Sequence, residues 1–158
     1  MTLLEFCQWL QFSPPLVAMR ASPWLFPVIA TIHLMGLSML GGAVLLVDLR
    51  LLGLGLRRQP VAQLAGDAER WLFRGLLVMI ATGIPLFMCF ATKYYYLTFF
   101  WVKMASLAAV VVFTVSVRRR VAMTDDARLH PMLGRAVALT SLTLWTTVAL
   151  GGRYIGFP

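Results

Sequence analysis

The stretch 23–47, PWLFPVIATIHLMGLSMLGGAVLLV, decides the fold of this chain. His33 is its single ionisable residue, and the rest of the stretch is apolar or uncharged. A helix needs about 20 mainly apolar residues to cross the hydrocarbon core of a bilayer. The stretch therefore predicts a transmembrane helix.

Three further apolar runs have a similar length, at about 71–91, 95–117 and 133–157. Hydrophobic residues make up 60% of the 158 residues, and the mean hydropathy is +0.82. A soluble domain of this size could not bury so much apolar surface. We therefore predict an all-α fold, an integral membrane four-helix bundle that forms a single membrane domain over residues 1–158.

A shorter apolar and aromatic segment, 3–12, precedes the first run and ends at Ser13-Pro14-Pro15. It is too short to span a bilayer, and it lacks the basic start and small-residue cleavage site of a secretory signal. We expect a short interfacial helix that stays in the mature protein.

The basic residues are distributed unevenly between the two ends of the predicted bundle. Ten of the 14 lysines and arginines flank the two connections that join the first helix to the second and the third to the fourth: Arg50, Arg57, Arg58, Arg70, Arg74, Arg118, Arg119, Arg120, Arg128 and Arg135. By the positive-inside rule we expect a bacterial inner-membrane protein with both termini in the periplasm. The net charge of +8 then reflects topology and contact with anionic lipids, and nucleic-acid binding is not expected.

His33 and Lys103 are ionisable residues inside apolar runs, where such residues are costly and often functional. Counting from Trp24 and Tyr96 at about 1.5 Å per residue puts them at depths of roughly 14 and 11 Å. The two side chains are therefore expected in one layer of the bundle. Pro85 and Trp145 fall at a comparable or slightly greater depth, and Pro85 is expected to kink its helix.

The role of His33 has three interpretations: a neutral imidazole hydrogen-bonded to another helix, a metal or haem ligand, or a proton relay. Small residues follow it, namely Gly36, Ser38, Gly41, Gly42 and Ala43. They allow either close helix packing or room for a flat cofactor, and the two are compatible.

Lys103 lacks an acidic partner, because all six acids lie outside the predicted spans. Its ammonium either snorkels towards the membrane surface or pairs with a group that is not protein, such as a haem propionate or an anionic lipid. Arg153 could serve the same group from the fourth helix, and Trp145 could form a wall or donate a hydrogen bond.

A haem b cofactor is the specific hypothesis that follows, with His33 as its metal ligand. The chain has two histidines, and His130 falls in the connection at the opposite face, so one chain cannot supply two histidines at this depth. The iron would be five-coordinate, or would take a methionine, a neutral Lys103 or a residue of another subunit. Met79, Met88 and Met104 are the methionines available.

Other chemistry finds little support in the sequence. It has no Cys-x-x-Cys, phosphate loop, Gly-x-Ser-x-Gly or histidine-rich cluster, which argues against hydrolases and nucleotide-dependent enzymes. Cys7 and Cys89 fall on the same side, and whether they form a disulfide stays open. Asp48 and Arg50 are expected to form an interfacial charge pair or a helix terminus, and Arg118-Arg119-Arg120 a stop-transfer and lipid-contact signal.

The run from His33-Leu34-Met35-Gly36 to Leu46-Val47-Asp48-Leu49-Arg50, together with Trp101-x-Lys103 and Gly152-Arg153, resembles an uncharacterised family of bacterial four-helix inner-membrane proteins. The resemblance covers nearly the whole chain. More distantly, the histidine on the first helix and Trp-x-Lys on the third are similar to HemJ-type protoporphyrinogen oxidase and CopD-like membrane domains. That likeness implies His33 as a haem ligand and Lys103 as a catalytic or propionate-binding partner.

Three functions follow as hypotheses. The first is a haem b redox component that passes electrons to a quinone or a periplasmic partner. The second is a non-catalytic subunit of a larger membrane complex, and the third is a HemJ-like oxidase. The glycine-rich faces also permit self-association into an oligomer.

Overall fold

The computed structural model describes residues 2–55, 59–124 and 130–155, which form helices and short connections without a strand. The helices are α1 (Leu3–Gln11), α2 (Pro14–Ala21), α3 (Leu25–Leu51), α4 (Val61–Cys89), α5 (Ala91–Tyr96), α6 (Thr98–Phe113), α7 (Arg119–Ala122) and α8 (Pro131–Ile155). Arg57, Arg58, Arg128 and the predicted end of the fourth helix at Phe157 lie outside the described residues.

Four helical stretches of the described chain are long and apolar enough to cross a membrane: Leu25–Leu51, Val61–Cys89, Thr98–Ala122 and Pro131–Ile155. The third, which we call the third span, joins α6 to α7 through a π-helical turn at Thr114–Arg118. The predicted all-α membrane bundle is confirmed. We call the end where α3 begins and α8 ends the terminal end, and the opposite end the loop end.

The N-terminal segment forms two short helices. Thr2 and Glu5 form a reciprocal capping box at the start of α1, whose Leu3, Phe6 and Trp9 are exposed. An exposed apolar face on a short helix is typical of a membrane interface. Pro14 and Pro15 begin α2, because proline at the first helical positions lacks only an N–H that would have no partner there.

The second and third spans begin at different residues from those predicted from the apolar runs. α4 begins at Val61, because Pro60 precedes it and a buried stripe, Val61, Ala65, Ala68 and Leu72, extends the helix beyond the bilayer-length run. Asp67 therefore lies inside α4, where it pairs with Arg70 at 3.4 Å. Tyr95 and Tyr96 belong to α5, which the extended Leu97 separates from the third span.

The bundle consists of two helix pairs, α3 with α4 and α6 with α8, joined mainly where α3 contacts α8. α3 and α4 approach most closely at two glycines: a Cβ built on Gly75 would lie 2.8 Å from Leu40 Cβ, and one on Gly36 would lie 2.9 Å from Val78 Cγ1. The packing interpretation therefore holds for Gly36. Gly41 and Gly42 face open space, with no atom within 4 Å of an added Cβ.

Candidate functional site

A cleft of about 360 Å³ lies towards the terminal end of the bundle, where all four spans contribute to its lining. Its functional groups are His33 of α3, Met79 of α4, Lys103 of α6 and Arg153 of α8. Three of the residues singled out in the sequence, His33, Lys103 and Arg153, therefore come together. Apolar side chains such as Leu34 and Val148 complete the walls.

His33 is held against α4 by a hydrogen bond to Thr82. Its Nδ1 lies 2.8 Å from Thr82 Oγ1, and the Thr82 hydroxyl donates its one proton to the Val78 carbonyl at 2.6 Å. In that arrangement the Thr82 oxygen accepts a hydrogen bond from Nδ1.

The orientation of the ring follows from Gly83. A Cβ built on Gly83 would lie 3.2 Å from His33 Cε1 and 3.7 Å from Nδ1, so this edge of the imidazole packs against the bare backbone of α4. In the neutral tautomer with Nδ1 protonated, Nε2 keeps its lone pair. Fixing one ring nitrogen by a hydrogen bond is how proteins orient histidines that bind metals through the other.

Lys103 lies along α8, where two adjacent glycines leave room for it. A Cβ built on Gly151 would lie 3.0 Å from Lys103 Cβ, and one built on Gly152 would lie 3.4 Å from Nζ. The ammonium thus follows α8 towards the terminal end, as snorkelling requires, while Lys103 still lines the cleft. Within the described chain no carboxylate lies within ion-pair distance of Lys103.

Trp145 does not line the cleft but lies deeper in the bundle. It packs in the hydrophobic core with Leu40, Val44 and Val148, and its indole Nε1 is buried with no hydrogen-bond partner among the described residues. Its proposed part as a cofactor wall stays a prediction. The methionine at the cleft is Met79; Met88 packs elsewhere, against the core cluster around Cys89.

The other predicted site features have clear positions. His130 directly precedes α8 at the loop end, far along the bundle from His33. Cys7 and Cys89 are both buried free thiols. Among the described residues no cluster of three or more histidine, cysteine, aspartate or glutamate side chains has a geometry suited to a metal ion.

The sequence interpretation missed a buried ion pair between Asp48 and Arg118. Arg118 Nε donates to Asp48 Oδ1 at 2.8 Å, and the two side chains are 7% and 0% exposed. The expectation that all acids lie outside the spans is wrong for Asp48, because α3 continues to Leu51, and for Asp67 and Glu69, because α4 begins at Val61. Asp48 does not form the expected interfacial pair with Arg50, whose Nε donates to the Gln59 carbonyl.

These features define a class: a multi-pass helical membrane protein with a histidine, a lysine and an arginine converging on one cleft. The chain belongs to a family of unknown function (DUF6644), whose model matches residues 26–158. The match includes all four spans and the cleft, so the expected membership of an uncharacterised family is confirmed. No curated protein and no solved structure matches the chain.

Proposed function

We propose that the protein binds haem b in the cleft and takes part in electron transfer within the membrane. The observation that carries the proposal is that one cleft is lined both by His33 and by Lys103, which has no acidic partner in the described chain. Haem would supply a one-electron redox centre, and the chain would supply its axial ligand and charge balance.

The residues present fit the chemistry of haem. Nε2 of His33 is a ligand of the kind that haem iron takes, and the Thr82 hydrogen bond would raise its basicity and hold the ring. Lys103 and Arg153 carry the charge that two propionates would need. Met79 is the methionine that lines the same cleft.

The size of the cleft limits how a macrocycle would sit. At about 360 Å³ the cleft lies near the lower end of small-molecule sites, which span roughly 300–1,000 Å³. It would hold one part of a haem, with the remaining edge between the helices and the lipid. Such an exposed edge suits electron exchange with a quinone dissolved in the bilayer.

The orientation in the membrane is part of the proposal. The arginines at the loop end, among them Arg50, Arg119 and Arg135, favour a cytoplasmic loop end in a bacterial inner membrane. The termini and the cleft would then face the periplasmic half of the bilayer. Electrons would pass to a quinone or a periplasmic partner protein.

The test is the absorption spectrum of the protein purified from haem-replete cells, with haem counted as the pyridine haemochrome. We expect a Soret band with one haem per chain, lost in His33→Ala and retained in His130→Ala, the matched control. A colourless preparation, or one whose band survives His33→Ala, would contradict the proposal. A colourless protein required for assembly of a larger complex would instead favour the non-catalytic subunit.

A HemJ-like oxidase would use the same cleft, which is lined by both His33 and Lys103. Complementation of a strain that lacks protoporphyrinogen oxidase separates the two proposals. Growth that depends on both His33 and Lys103 would support the oxidase. Haem binding without complementation would leave electron transfer as the function.

A further inference from the structure

A second polar site lies in the half of the bundle towards the loop end, remote from the cleft. Its centre is the ion pair of Asp48 and Arg118, in which Arg118 Nη2 also donates to the Val44 carbonyl at 3.3 Å. Ser141 of α8 and Thr114 of the π-helical turn are the other buried polar side chains of this region. Arg118 thus joins α3 to the third span in an apolar environment.

One buried hydroxyl here, Thr114 Oγ1, has no partner in the described chain. The Ser141 hydroxyl, by contrast, lies beside the Asp48 carboxylate. Other hydroxyls on the spans bond to the carbonyl four residues earlier, as Thr31 and Thr143 do. Thr114 is 6% exposed and makes no such bond. A buried polar group without a partner costs about 1–3 kcal/mol, so the Thr114 hydroxyl beside Arg118 indicates a missing hydrogen-bonding component.

Arg118 has unused hydrogen-bonding capacity as well. A guanidinium carries five N–H donors, and two of them bond to Asp48 and Val44. Three N–H groups therefore remain on a residue that is 5% exposed.

A small cavity borders two of these side chains, Thr114 and Arg118 of the third span. Ala65, Ala68 and Leu72 line it from α4, and the ion-paired Glu69 and Arg119 also contribute to its lining. Its volume is about 30 Å³, and a water molecule needs roughly 10–15 Å³ measured in this way. The cavity therefore suits one or two water molecules and is too small for a lipid headgroup or a phosphate.

We propose that this cavity is a water-binding site that completes the hydrogen bonding of Arg118, the partner of Asp48, and of the Thr114 hydroxyl. Bound water accepts from the remaining Arg118 N–H groups and exchanges a hydrogen bond with the Thr114 hydroxyl. The π-helical turn places both residues at the cavity, which agrees with the frequent occurrence of such turns at functional sites. The site hydrates the buried Arg118 side chain, and it is independent of haem binding.

Water-edited solid-state NMR of the labelled protein in lipid vesicles tests this site. Magnetisation from water should reach the Arg118 side chain and Thr114 Cβ nearly as fast as it reaches the exposed Arg70, and much faster than it reaches the buried Leu40. Thr114→Val removes the hydroxyl at almost constant volume and should slow transfer to Arg118 severalfold. Thr147→Val is the matched control, since the Thr147 hydroxyl is exposed and bonds to the Thr143 carbonyl.

A cavity-filling variant, Ala68→Val, provides a second arm that leaves every polar group in place. It should slow transfer to Arg118 as Thr114→Val does, with helicity checked by circular dichroism. Transfer to Arg118 in the unaltered protein as slow as to Leu40 would overturn the proposal. Transfer that stays fast in a folded Ala68→Val protein would also overturn it, because water would then reach Arg118 by another route.

Discussion

The buried ion pair makes the sharpest energetic prediction. Arg118→Met removes the partner of Asp48, whose side chain is fully buried, and leaves an uncompensated carboxylate inside the bundle. Breaking a buried pair in this way costs about 3–5 kcal/mol, which lowers the folding equilibrium constant by roughly 100- to 4,000-fold. Reversible unfolding in mixed micelles of mild detergent and dodecyl sulfate, followed by circular dichroism, measures this loss.

The adjacent arginine provides the matched control. Arg119 Nε lies 2.8 Å from Glu69 Oε1, the same separation as in the buried pair, but its side chain is 57% exposed. A surface ion pair contributes about 0–1 kcal/mol, so Arg119→Met should change stability little. Asp48→Leu combined with Arg118→Met should recover most of the loss, because replacing both charges with apolar groups is often neutral. Equal losses for Arg118→Met and Arg119→Met would refute the reasoning.

Three further predictions concern packing and orientation. Gly75→Ala should destabilise the bundle by about 1–3 kcal/mol, because its Cβ would meet Leu40 at 2.8 Å. Gly66→Ala on the same helix is the control: its Cβ meets nothing within 4 Å, so the variant should be neutral or stabilising in the same unfolding assay. The Arg20 guanidinium donates to the carbonyls of Cys89 and Gln11, each at 2.9 Å. Arg20→Leu removes both hydrogen bonds, so amide hydrogen exchange at the end of α4 should accelerate. With a periplasmic C-terminus, alkaline phosphatase fused there should be active, and a fluorescent protein that folds only in the cytoplasm should be dark. The reverse pattern would contradict the periplasmic termini.

The sequence was sufficient for the architecture and for part of the candidate site. Four apolar runs of bilayer length leave few alternatives to a membrane bundle. Counting residues from the predicted helix ends was enough to place His33 and Lys103 at similar depth, and the structure has both lining one cleft. Counting residues gives the depth of a side chain but not the direction in which it points around the helix axis. Trp145, at a nearby depth, therefore could not be separated from the residues that line the cleft.

The ion pair escaped the sequence interpretation for a related reason. Asp48 and Arg118 lie near the ends of apolar runs, where charged residues ordinarily contact water or lipid headgroups. Their burial depends on α3 continuing to Leu51 and on the π-helical turn at Thr114–Arg118, neither of which has a hydropathy signal. Three consecutive arginines also conceal that Arg118 faces inwards while Arg119 and Arg120 are exposed.

The tautomer of His33 links the geometry of the cleft to its proposed chemistry and can be tested without a cofactor. In the arrangement in which the Thr82 hydroxyl donates to the Val78 carbonyl, the neutral imidazole carries its proton on Nδ1, which leaves Nε2 as the ligand atom. Nitrogen-15 NMR of histidine-labelled protein should therefore show Nδ1 protonated and Nε2 bare, with His130 assigned by its substitution. Thr82→Val should shift the population towards protonated Nε2, whereas Thr82→Ser, which keeps the hydroxyl, should not. Protonated Nε2 in the unaltered protein would refute the assignment, and iron could then bind at His33 only after the proton had moved.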